Sequence, residues 1–173
     1  LVEIQIPSSV ALIKPFAFKD CIKLHKISMD LYKTEIQEKA FENCISLDKL
    51  YLQTESPMFE VERSDLFDRI KYINIPQKVT TINSWAFYNF RLLENIIIPS
   101  TVKSLGPFAF CQCQYVQYIT FLCPIKNIYD KMFNNCKSLK KISFISSFKS
   151  TRQNNVDSSE EIVIPTDVKS IGS

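Results

Sequence analysis

Glycine is almost missing from this 173-residue chain: Gly106 and Gly172 are the only two. A phosphate-cradling loop needs several glycines close together, so that mode of nucleotide binding is excluded. Turns that need special backbone fall to Pro, Asn, Asp and Ser instead. Histidine occurs once, at His25. A general base needs a positioned nucleophile or acid, and no Ser-His-Asp or Cys-His spacing surrounds His25, which reads as an exposed structural residue at a turn. Strong charge is lacking as well. The formal net charge is +3 with both signs interspersed, too mild a field to indicate a nucleic-acid or membrane partner. Long hydrophobic runs are absent: the longest reach roughly half of a bilayer-spanning helix, and Pro7, Pro76, Pro99, Pro124 and Pro165 interrupt several. What is present is a chain 46% apolar and 23% charged, the balance of a folded protein rather than a disordered one, and long enough to bury one core.

The apolar residues follow a strict period. From Leu1, a large aliphatic residue recurs at Leu24, Leu47, Ile70, Leu93, Val116 and Leu139, each 23 residues after the last. Three residues after each start stand Ile4, Ile27, Leu50, Ile73, Ile96, Ile119 and Ile142, and two further on Ile6, Met29, Leu52, Ile75, Ile98, Phe121 and Phe144. This alternation predicts a short strand with one buried face, ended by Pro7, Pro76 and Pro99, which cannot donate to a ladder. The second half of the unit carries Val10, Val79, Val102 and Ile125, then Ile13, Ile36, Ile82, Leu105 and Ile128. The pairs Ala17-Phe18, Ala40-Phe41, Ala86-Phe87, Ala109-Phe110 and Met132-Phe133 follow, and then Cys21, Cys44, Phe90, Cys113 and Cys136. That spacing predicts a short helical or 3₁₀ segment whose small Ala permits close approach while Phe fills the interior. One coil cannot bury its own edge, but stacked coils share a continuous core, so an α/β solenoid with a parallel sheet is expected.

Two stretches break the period. Residues 53–69 keep the length but lose the Ala-Phe and Cys positions, offering Phe59, Leu66 and Phe67, so a repacked segment is expected there. The stretch 146–161 is polar and poor in apolar anchors, a candidate mobile loop, and the next strand, Ile162-Val163-Ile164-Pro165, arrives early. The first residue is already a repeat residue, and the chain stops at Ile171-Gly172-Ser173, before the expected Ala-Phe pair, without polar caps at either end. It is therefore expected to be one repeat domain, 1–173, of seven coils and part of an eighth, cut from a longer array, with any targeting signal outside it.

The pattern Leu-x-x-Ile-x-Ile-Pro-x-x-Val-x-x-Ile-x-x-x-Ala-Phe-x-x-Cys-x-x, complete from Leu1 to Lys23, resembles the BspA-type leucine-rich repeat, and the resemblance covers essentially the whole chain. The Ile-Pro, Ala-Phe and Cys elements separate this class from ordinary leucine-rich repeats. The resemblance implies a curved right-handed solenoid with its sheet on the concave side and short helical or 3₁₀ segments on the convex side. It further implies a cell-surface or secreted protein engaged in adhesion to host matrix proteins or other cells.

The cysteines Cys21, Cys44, Cys113 and Cys136 share one repeat position and are expected to stack as buried small side chains. Cys111 and Cys123 fall outside that ladder. Cys111-Gln112-Cys113 with Cys123 and Cys136 is a conceivable zinc set, but no CxxC pair or clustered His supports it, and no metal or cofactor is assigned. The free-thiol ladder is compatible with a reducing cytosol, and no Asn-x-Ser/Thr sequon occurs.

The residues between the inward strand positions face outward. They define the expected ligand face: Lys26, Lys49, Tyr51, Tyr72, Asn74, Asn95, Ile97, Tyr118, Thr120 and Lys141, with Glu3, Gln5, Ser28 and Ser143 at its margins. Tyr51, Tyr72, Ile97 and Tyr118 fall on four successive coils. Aromatic residues are enriched at interfaces, while cross-strand stacking that merely stabilises the sheet would use the same positions. The sequence thus reads as a non-enzymatic module that binds a protein ligand, host or extracellular-matrix protein among the candidates, or as an array that spaces another domain.

Overall fold

The computed structural model describes residues 1–60, 64–124, 129 and 131–144. The polar stretch 146–161, the strand expected at 162–165 and the apolar positions Ile125 and Ile128 lie outside the described residues. Twelve strands follow one another in the described part: β1 (Glu3–Gln5), β2 (Leu12–Ile13), β3 (Lys26–Met29), β4 (Glu35–Ile36), β5 (Lys49–Leu52), β6 (Met58–Phe59), β7 (Tyr72–Asn74), β8 (Thr81–Ile82), β9 (Asn95–Ile98), β10 (Ser104–Leu105), β11 (Tyr118–Phe121) and β12 (Lys141–Phe144). One strand per coil enters a seven-stranded parallel sheet in the order β1-β3-β5-β7-β9-β11-β12. The register steps by one repeat at every pair: Ile4 faces Ile27, Ile27 faces Leu50, Leu50 faces Ile73, and Ile96, Ile119 and Ile142 continue the row. A 23-residue period therefore becomes a β-solenoid, because each chain turn returns the same side chain to the same place one strand further along.

Short second strands form a three-stranded sheet, β10-β8-β6, and a separate pair, β2-β4. The two are not joined, since β4 does not pair with β6. There the Tyr32 hydroxyl donates to the Met58 carbonyl and accepts from Glu60 N at 2.7 Å, while Ser56 Oγ accepts from Met58 N at 3.2 Å. A side chain thus satisfies backbone groups that a ladder satisfies in other coils.

The segment expected to be helical is built of turns instead. The reason lies in where its amides bond. In the first coil the N–H groups of Ala17, Lys19 and Cys21 donate three residues back within the coil, but those of Phe16, Phe18 and Asp20 donate to Lys39, Ala40 and Glu42 carbonyls of the next coil. The pattern recurs with Phe87 on Ala109, Asn89 on Cys111, Phe110 on Met132 and Gln112 on Asn134. A helix would consume all of these donors internally; here alternate amides stitch one turn arm to the next. The alternation needs left-handed backbone twice per arm, at Phe16, Lys39, Trp85 and Phe108, and at Asp20, Asn43, Asn89, Gln112 and Asn135. The single 3₁₀ helix among the described residues, Asp65–Asp68, lies in the irregular third coil and is capped by Ser64, whose Oγ accepts from Leu66 N.

The core is a continuous column. Ala40, Ala86 and Ala109 are buried against it, and rings stack through it from coil to coil: Phe18 on Phe41 at 5.0 Å, Phe87 on Phe110 at 5.1 Å and Phe110 on Phe133 at 5.6 Å. Where the third coil has Ser64 in place of this Phe, Phe59 reaches in and stacks on Phe87 at 4.7 Å. Phe67 takes the cysteine position and stacks on Phe90 at 4.8 Å.

Candidate functional site

The large sheet turns one set of side chains into the column and the other outward, as the pleat requires. Its outward set forms two rows. In the first, Glu3, Lys26, Lys49 and Tyr72 stand side by side and continue through Asn95, Tyr118 and Lys141. In the second, Gln5, Ser28, Tyr51 and Asn74 align on the first four coils, and Ile97, Thr120 and Ser143 on the last three. All ten residues expected on the ligand face stand on this face.

They differ in how much each has left to offer. Lys26 Nζ lies 2.7 Å from Glu3 Oε2 and 5.0 Å from the centre of the Tyr51 ring. The hydrogen bond to Glu3 holds the Lys26 pKa above its ordinary value, and the same contact lowers that of Glu3. Tyr51 is half-buried, covered by Lys26 on one side and by Tyr72 at 5.7 Å on the other. Asn74 Oδ1 accepts from Leu52 N at 2.7 Å, so its side chain pins β7 to β5. Lys26 and Asn74 are thereby engaged in holding the sheet. The exposed apolar surface is concentrated farther along, where Tyr72 is 36%, Ile97 52% and Tyr118 44% exposed. Asn95 lies between the two tyrosines in the first row. At the margin, Lys71 pairs with Glu94 at 3.0 Å.

The thiols answer to packing rather than chemistry. All six cysteines are free, and five are buried. Cys44 Sγ donates to the Phe18 carbonyl at 3.0 Å, Cys113 Sγ to that of Phe87 at 3.0 Å, and Cys136 Sγ to that of Phe110 at 3.1 Å. Each thiol thus bonds the coil before its own, a role that the spacing alone did not reveal. Burial pushes the Cys113 thiol well up and that of Cys136 to about 12. A folded-state pKa above the unfolded value means that the folded chain keeps its proton longer. The contribution to stability is then whole below about pH 8.5 and is lost as pH rises through the folded pKa. The urea midpoint is expected to fall between pH 8.5 and pH 10.5 by more in the native sequence than in Cys113→Ala/Cys136→Ala. In the folded protein a thiol reagent is expected to label Cys21 alone, and six thiols after denaturation. Equal alkaline slopes for the two proteins would refute this reading.

No group of three or more His, Cys, Asp or Glu converges as a metal site among the described residues. His25 stands exposed before β3. No helix among them is long and apolar enough to cross a membrane.

The sequence reading missed a second feature, on the turn arms. Trp85 stacks on Phe108 at 4.2 Å with planes within 2°, and Tyr88 meets Trp85 edge-on at 5.3 Å. Trp85 and Phe108 are 23 residues apart and both left-handed, so the repeat register itself was the available signal.

The family model that describes a BspA type leucine rich repeat region matches residues 1–64 and 65–173, in six copies. A comparison with curated proteins finds no match. Among solved structures, a leucine rich repeat protein of T. pallidum is 21% identical with a TM-score of 0.48, over 83% of this chain and 72% of that one. A leucine-rich repeat protein from Bacteroides ovatus is 25% identical with a TM-score of 0.47, over 82% of this chain and 39% of that one. A leucine rich cell surface protein from Faecalibacterium prausnitzii is 18% identical with a TM-score of 0.45, over 83% of this chain and 55% of that one.

Proposed function

The chain belongs to the BspA-type leucine-rich repeat family, and from that premise we propose that it is a non-enzymatic recognition module which binds a protein ligand through the outward face of its large sheet. The observation that carries this reading is the exposed strip Tyr72–Ile97–Tyr118 on three adjacent strands. A folded chain gains nothing by presenting an isoleucine between two tyrosines to water, whereas a partner that covers them gains apolar area and two phenolic hydrogen bonds. Stacked repeats present such surfaces as a continuous array, so affinity is assembled from several modest contacts rather than one deep pocket. Lys49 and Lys141 flank the strip at the same row and suit a partner with acidic groups at the rim. The ligand is a host or extracellular-matrix protein, met at the cell surface or in the secreted state.

The test is an alanine scan of the strip against a panel of immobilised extracellular-matrix proteins. Tyr72→Ala/Tyr118→Ala is expected to weaken binding at least about tenfold, the equivalent of 1.4 kcal/mol, with an unchanged circular dichroism spectrum. Undiminished binding to every partner by a folded double variant would leave the array only a spacing role.

A further inference from the structure

The break in the second sheet leaves one strand edge without a neighbour. Where the third and fourth coils pair, Thr81 N donates to the Pro57 carbonyl at 3.0 Å and Asn83 N to that of Phe59 at 2.9 Å, and the Phe59 N–H closes the parallel ladder. One coil earlier, Thr34 and Ile36 hold the repeat positions of Pro57 and Phe59, but the groups that should meet them are diverted. Pro57 has no N–H. Met58 N turns to Ser56 Oγ at 3.2 Å, and Glu60 N donates to the Tyr32 hydroxyl at 2.7 Å. That hydroxyl also donates to the Met58 carbonyl, so it does for the third coil what the Ile36 peptide group would do. The Ile36 N–H and the carbonyls of Thr34 and Ile36 therefore have no partner among the described residues. Thr34 is only 4% exposed, a place where an unpaired main-chain group costs about as much as a lost hydrogen bond. A cavity of about 440 Å³ lies along this edge, within the roughly 300–1,000 Å³ of sites that enclose ligands. Leu31, Ile36 and Phe67 give it apolar walls, and Glu60 bounds it from the third coil.

We propose that the free edge of β4 binds an extended segment of a partner protein as an added parallel strand. The unpaired groups run acceptor, donor, acceptor along one strand, and a peptide backbone answers with donor, acceptor, donor. The N–H of one partner residue meets the Thr34 carbonyl, its carbonyl meets the Ile36 N–H, and the N–H two residues on meets the Ile36 carbonyl. A lone side chain could satisfy one of these groups but lacks the spacing of the series. The partner residue in the middle takes the repeat position of Ile13, Phe59 and Ile82, all of which are buried. Its side chain thus enters between the apolar walls, where an aliphatic or aromatic residue gains most. Because Tyr32 already satisfies the third-coil groups, the edge stands open before binding and little reordering is required. The site lies on the second sheet and is independent of the strip on the large one.

Amide hydrogen exchange, read residue by residue by NMR, reports on the edge itself. In the free protein the Ile36 amide is expected to exchange at least about tenfold faster than that of Ile82, which sits in the β8–β10 ladder. The protein is then titrated with the blocked pentapeptides Ac-Thr-Thr-Xaa-Thr-Thr-NH2, with Val, Ile, Phe or Met at Xaa. At least one is expected to slow Ile36 exchange saturably, by about tenfold or more, equally in the native chain and in Tyr118→Ala. The same peptide carrying N-methyl groups on the two threonines that flank Xaa is expected to have no effect, since its donors to Thr34 and Ile36 are gone. The proposal is overturned if Ile36 exchanges as slowly as Ile82 in the free chain, if no peptide slows it, or if slowing survives N-methylation. Slowing without peptide that grows with protein concentration would give the edge to a second copy and overturn it as well.

Discussion

Phe87→Ala is expected to lower the unfolding free energy by about 4 kcal/mol, the upper part of the range for deleting a buried ring. Phe87 is fully buried and touches rings on three coils: Phe59 at 4.7 Å below it, Phe110 at 5.1 Å above it and Phe90 at 5.7 Å beside it. Its removal deletes transfer free energy and opens a space that stitched coils cannot collapse into. The position has a second consequence. Repeat arrays are held by nearest-neighbour interfaces, and Phe59–Phe87 is a main tie between the irregular third coil and the regular coils after it. The urea transition of the variant is therefore expected to broaden as the first coils uncouple from the rest. Phe18→Ala, at the half-buried end of the same column, is expected to cost less than half as much. Equal costs at the two positions would mean that the ring column does not carry the coupling.

Gly106→Ala is expected to cost about 3 kcal/mol, at the high end for forcing extra volume into a packed site. A Cβ there would collide with Ser84 N and lie 2.6 Å from Ser84 Cα. Both are backbone atoms, so no side chain can swing aside. Gly106 N donates to the Ile82 carbonyl at 2.8 Å just after β10, the bond that Gln37 and Asn83 also make to the coil before theirs, so the close approach to Ser84 is particular to the fourth and fifth coils. Lys14, Gln37, Glu60 and Asn83 occupy the same repeat position, so the glycine answers to this one junction and not to the repeat. Asn83→Ala is the control: it loses the 2.6 Å bond to Glu60 and is expected to cost under about 1 kcal/mol, as exposed hydrogen bonds do. Thermal or urea unfolding of the two variants decides the point, and a neutral Gly106→Ala would contradict the close packing of these coils.

What the sequence disclosed, and what it hid, divides along the range of the interactions. The strands were legible because alternation of Ile27 with Lys26 and Ser28 is local, and the stacking was legible because the period repeats it. The turn arms were not. Ala17, Phe18 and Cys21 have the spacing of a helix face, and only the destination of their neighbours' amides, on the next coil, separates a helix from a stitched turn. Four of the nine left-handed positions were signalled: Asp20, Asn43, Asn89 and Asn135 are residue types that tolerate that backbone. Phe16, Lys39, Trp85, Phe108 and Gln112 carry no such sign, and there tertiary bonding overrides local preference. On the sheet face, alternation placed the side chains on one side but was silent about their bonds. Asn74 turns to the Leu52 amide and Lys26 to Glu3, so the accessible strip is shifted toward Tyr72, Ile97 and Tyr118.

Hydroxyl-radical footprinting in the presence and absence of a bound protein partner separates recognition on the sheet from recognition on the turn arms, because the tyrosines report both sides of the coil at once. Tyr72 and Tyr118 stand exposed on the sheet, and Tyr88 and Tyr115 stand exposed away from it. The partner is expected to protect Tyr72 and Tyr118, with Tyr51 between them and Lys26, and to leave Tyr88 and Tyr115 as reactive as in the free chain. Protection of Tyr88 and Tyr115 with no change on the sheet would place recognition on the turn arms and contradict recognition by the sheet face.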